Sequence, residues 1–147
     1  MGLARVDYGI YKHIESLLRQ YPHMDKEIEE IIADEQFAFR QENTDENIGG
    51  GHSPNPQATE NKLIGVLMLE NQRSIRQLRN YQLQIQRTWD ESDNETRDVI
   101  EAIYLHPHPN LSLLGFGQLL HMDKSKVSRL RRKFITCLGV KLGWVRE

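Results

Sequence analysis

Ser125, Ser128, Arg129, Arg132 and Thr136 recur at steps of one, three and four residues near the end of a 147-residue chain. At about 100° per helical residue they fall on one face. Lys126 and Lys133 flank that face, and Lys124 begins the run. Short hydroxyls followed by long cations are what entry into the major groove of double-stranded DNA asks for. Small residues let a helix end approach base edges, and arginine grips guanine or a phosphate with two bonds. The order along the helix predicts Ser125, Ser128 and Arg129 nearest the bases. Arg132 and Lys133 then hold the backbone where the helix leaves the groove. The plainer alternative is an amphipathic helix with a solvated basic face. Against it, solvated helix faces usually mix both signs of charge.

The neighbouring residues predict the elements that would position this face. Val127, Leu130, Phe134 and Leu138 form an apolar stripe on the opposite side. Asp123 is placed to cap the helix by accepting free amides of the first turn. His121-Met122 reads as a turn with Met122 directed inward. Upstream, Phe116, Leu119 and Leu120 are expected to face the core from a preceding helix, with Gly117 where the second helix crosses closely. The pattern predicts a helix-turn-helix.

The charge distribution agrees. From Lys124 onward eight cations stand against the single acid Glu147, a net of +7, so the first 123 residues carry −9 of the overall −2. A basic end on an acidic body is the footprint of a protein that touches a polyanion with one end. Other chemistries find little support. The six histidines, His13, His23, His52, His106, His108 and His121, are scattered, and no Ser-His-Asp elbow or metalloprotease motif is present. His106 and His108 lack further ligands at metal-binding spacing. Gly49-Gly50-Gly51 lacks the lysine of a phosphate-binding loop and reads as flexible chain. No enzyme, cofactor or metal is expected. The single Cys137 excludes an internal disulfide. No apolar run reaches the ~20 residues a membrane helix needs, and no signal peptide is recognisable. A cytoplasmic protein with no membrane partner is expected.

Along the rest of the chain the fold class reads as all-α. Ile10, Ile14, Leu17, Leu18 and Tyr21 predict a first helix broken by Pro22, and Met24, Ile28, Ile31 and Ile32 a second reaching about Phe39. Residues 1–42 are thus an N-terminal helical region. Residues 43–57, with three glycines, two prolines and three asparagines, read as a linker or loop. Residues 58–147 are expected to hold a long helix followed by the DNA-binding domain. In that helix Ile64, Leu67, Asn71, Ile75, Leu78, Gln82, Ile85 and Trp89 alternate at three and four. This heptad-like seam with two polar intrusions suits either packing within the monomer or a homodimer through residues 58–89. Ser92 with Glu95 resembles a capping box opening a helix over residues 93–105, stopped by Pro107 and Pro109.

The combination of Tyr21-Pro22, Asp45-Glu-Asn-Ile-Gly-Gly-Gly51, a long helix opening Thr59-Glu-Asn-Lys62 and the C-terminal motif resembles the RinA-type phage transcriptional regulators. It is more loosely similar to ArpU-type regulators. The resemblance covers nearly the whole chain, and Asn47-Ile-Gly-Gly-Gly51 is its most distinctive piece. It implies a C-terminal part like region four of bacterial sigma factors. It also implies activation of phage late genes for packaging and morphogenesis, binding to promoter DNA, and contact with host RNA polymerase. A DNA-packaging component such as a terminase small subunit is the competing reading, since those proteins also place helix-turn-helix modules on helical oligomerising bodies. A ring of eight or more subunits would distinguish it. A purely structural coiled coil would bind no DNA at any salt.

Overall fold

A computed structural model describes residues 6–45, 56–106 and 111–146. The Gly49–Gly51 segment, most of the expected linker, and Pro107, His108 and Pro109 lie outside the described residues. The protein is all-α. Its helices are α1 (Tyr8–Gln20), α2 (Met24–Asp45), α3 (Pro56–Glu91), α4 (Asn94–Ile100), α5 (Leu113–Leu120) and α6 (Lys124–Lys141). A 3-10 turn, Tyr21–His23, links α1 to α2 at Pro22, and a π turn, Glu101–Leu105, prolongs α4. No described helix is long and apolar enough to cross a membrane.

Two compact units divide the chain differently from the expected 1–42 and 58–147 regions. One combines residues 1–22 with 81–147, and the other holds residues 23–80. The first helix therefore belongs to the C-terminal unit. Helical periodicity shows which side of α1 is apolar, but not which distant helix covers it.

In the unit of residues 23–80, Met24, Ile28 and Leu78 are buried. Phe37, Leu63, Val66, Leu67 and Leu69 remain exposed. Of the two polar intrusions in the expected α3 seam, Asn71 is half-buried here, and Gln82, in the other unit, is half-buried too.

The larger unit is built around α6. Val127, Leu130, Phe134 and Leu138 are buried as their spacing predicts, and Ile135 joins them. Helices α1, α4 and α5 pack against α6, and α1 also packs on the π turn. Ile14, Leu17 and Leu18 from α1 and Val99, Ile100, Ile103 and Tyr104 from the α4 segment complete the core. A Cβ on Gly139 would lie 2.6 Å from Val145 Cγ2 and 3.0 Å from Ile14 Cδ1, so that glycine is what lets α1 and the chain's end close on α6. Glu15 is buried with them. It accepts a 2.7 Å hydrogen bond from the Tyr104 hydroxyl. Arg19 lies 3.6 Å from the same oxygen, and Lys12 lies 3.3 Å from the other. Burial and the adjacent carboxylate push the Tyr104 hydroxyl well above its usual pKa, so it stays a donor.

The helix ends differ in part from expectation. Asp93, not Ser92, caps α4: its carboxylate accepts from the Thr96 amide at 2.8 Å. Ser92 still sits within reach of the last turn of α3, and its hydroxyl donates to the Thr88 carbonyl. Arg97 donates to the carbonyls of Trp89 and Asp90, satisfying acceptors that the end of α3 would leave open. Ser112 caps α5 by accepting from the Gly115 amide.

Candidate nucleic-acid interface

Three residues connect α5 to α6. His121 is left-handed, with φ 56°. Met122 donates its amide to the Gly117 carbonyl at 2.8 Å and His121 donates to Gln118, the paired bonds that close a helix at a left-handed residue. A Cβ on Gly117 would fall 2.6 Å from the Met122 carbonyl oxygen and 3.5 Å from the Lys124 amide. The glycine is thus required by the turn itself and by the first residue of α6, rather than by a crossing further along. Phe116 is buried from α5, but Leu119 is 46% exposed, against expectation. With α5 only two turns long, its far side stays in solvent. Asp123 has extended backbone and its carbonyl accepts from the Val127 amide, so it starts α6. Its carboxylate makes none of the expected bonds to first-turn amides.

Among the residues expected to meet DNA, Lys124, Ser125, Arg129 and Arg132 are exposed and Ser128 is half-buried. They form one continuous surface over the first half of α6. Thr136 does not join them. It is 3% exposed, and its hydroxyl donates to the Arg132 carbonyl at 2.8 Å. Helical angle alone puts Thr136 beside Ser125 and Arg129, but in the second half of α6 burial extends to Thr136, together with Phe134, Ile135, Leu138 and Gly139. The chain's end folds back there, with the amides of Trp144 and Val145 donating to the Gly139 carbonyl. The Trp144 ring then meets His13 of α1 at 4.7 Å between centroids and Tyr81 of α3 at 6.0 Å.

The two flanks of α6 are electrically unequal. On the side toward α4, Lys126 pairs with Glu95. Lys133 lines a small cavity with Glu91 and Asp93, and Lys141 lies 2.7 Å from Glu91. Hydrogen bonds from Thr96 hold the Asp93 carboxyl below its ordinary pKa, and Lys133 and Lys126 reinforce this. Asp93 is therefore a firm anion facing those lysines. Along the rest of the helix, Lys124, Arg129, Arg131 and Arg132 have no carboxylate at ion-pair distance among the described residues. Arg131 was not singled out by the spacing, since it lies at the edge of the apolar stripe. It is half-buried, its guanidinium is 6.0 Å from the Tyr11 ring centroid, and its Nε is buried without a hydrogen-bond partner.

No group of His, Cys, Asp and Glu residues that could hold a metal occurs among the described residues. No curated protein and no solved structure matches the chain. A family model described as "Protein of unknown function (DUF722)" does match, over residues 10–139, and the chain belongs to that family.

Proposed function

We propose that this protein binds double-stranded DNA sequence-specifically through the first half of α6 and regulates transcription. The observation that carries the reading is the exposed surface of Lys124, Ser125, Ser128, Arg129 and Arg132, whose cations no described carboxylate neutralises. A solvated structural helix gains nothing from holding such charges together, whereas a phosphate backbone rewards it by releasing counterions. The resemblance to RinA-type regulators supports the finer reading, an activator of phage late genes acting with host RNA polymerase in a bacterial cytoplasm. Catalysis has no place in this proposal.

The test is salt dependence with footprinting. With about four or five phosphate contacts, log K should fall against log salt with a slope near −4. DNase footprinting on a phage late-operon promoter should show a protected site, with and without polymerase. Binding that does not change between roughly 50 and 200 mM salt would remove the electrostatic basis of the proposal.

The exposed Leu63, Val66, Leu67 and Leu69 on α3 support a homodimer through that helix, which would bring two DNA-binding units to one site. Sedimentation at micromolar concentration should find the dimer. A monomer throughout that range would leave these residues to another role.

A further inference from the structure

We propose that the open groove between α1 and the middle of α6 is a second phosphate-binding site, taking a backbone phosphate of the duplex whose bases α6 reads; this rests on the DNA-binding reading above. The groove is lined by Tyr8, Tyr11, Lys12 and Glu15 from α1 and by Arg131 and Arg132 from α6. Three cations thus face one carboxylate; Lys12 is ion-paired with it, which leaves Arg131 and Arg132 without a carboxylate at ion-pair distance among the described residues. Glu15 is 3% exposed: Tyr104 donates to Oε2, with Arg19 3.6 Å from it, while Oε1 has Lys12 at 3.3 Å but no hydrogen-bond partner.

Arg131 is the informative residue. A half-buried guanidinium with an unsatisfied Nε is costly unless something completes it. Its neighbour Tyr11 offers the cation a ring face and, through its hydroxyl, a side-chain hydrogen bond, and Nε is still left without a partner. A phosphodiester supplies two oxygens spaced for the planar fork of an arginine, meeting the edge of the guanidinium that lines the groove. Lys12 is exposed at the mouth, where its ammonium lies 5.5 Å from the Tyr8 ring centroid. Arg132 belongs both to the groove and to the exposed face of α6, so the two surfaces are continuous. The opposite flank offers no equivalent, because Glu95, Asp93 and Glu91 already face its lysines. The grip on the backbone is therefore one-sided, from α1.

The experiment measures duplex binding of the full chain against salt, together with a titration by inorganic phosphate followed at the Arg131 Nε–H resonance. Lys12→Gln should weaken cognate and random duplex by the same factor and reduce the salt slope by about one. Arg131→Gln should do the same or more, and circular dichroism checks that it folds. Lys141→Gln, on the neutralised flank, should leave the slope unchanged. In the wild type the Arg131 resonance should shift saturably with phosphate. If Arg129→Ala impairs duplex binding but Lys12→Gln and Arg131→Gln leave affinity and slope intact, the groove is not a DNA site and the α6 reading stands. If the wild type binds no duplex yet Arg131 responds to phosphate, the DNA reading falls and the groove takes a free phosphate instead. If Arg131 does not respond and both slopes are intact, the inference is overturned.

Discussion

Replacing Arg129 with alanine is expected to weaken binding of the cognate duplex by roughly 1–3 kcal/mol, about 5- to 150-fold, and binding of random DNA much less. The expectation follows from position. Arg129 is exposed one turn beyond Ser125 and next to Ser128, with no described carboxylate to compete for its guanidinium. A guanine edge offers two acceptors to that fork, while a phosphate offers no sequence information. Arg132 shares its surface with the α1 groove, so Arg132→Ala should weaken both classes of DNA alike. Lys133, expected from the sequence to grip the backbone, faces Asp93. Its removal should accordingly matter less than that of Arg132. Equal loss on cognate and random duplex for Arg129→Ala would pass the base-reading role to Ser125 or Ser128.

The contrast between these residues marks how far the sequence could be read. The all-α class and the α6 stripe of Val127, Leu130, Phe134 and Leu138 were legible because both depend on local period alone. The turn at His121-Met122 was legible from its neighbours, and Gly117 was marked as a close approach, although what it approaches is the turn itself rather than a crossing helix. Thr136 was misplaced because the angle around a helix says nothing about what wraps its second half. Around that half, Ile14 of α1 and Val145 close on Gly139, and Trp144 meets His13. Lys126 and Lys133 looked equivalent to Arg129 and Arg132 until α4 supplied acids to one flank only. Arg131 escaped notice because its partner, Tyr11, lies 120 residues earlier. These three misses on α6 are long-range contacts, and they concern what covers or neutralises the helix rather than its existence.

Phe134→Ala is expected to destabilise the α6-centred unit by roughly 3–5 kcal/mol. Phe134 is 1% exposed in the middle of the buried stripe. The helix that carries it is packed by α1, α4 and α5 together. Removing the ring both returns its transfer free energy and leaves a void that rigid neighbours fill poorly. Against a typical domain stability of about 5–15 kcal/mol, that is a large share. At about 4–8 °C per kcal/mol for a unit of this size, thermal melting followed by circular dichroism should fall by well over 10 °C. Phe134→Leu keeps most of the volume and should cost much less. DNA binding of the alanine variant should fail in step with unfolding, not before it, since Phe134 lies on the face of α6 opposite Arg129. A variant that melts with the wild type would mean that α6 is not the centre of the core, and the exposed face assigned to it would then lose its support.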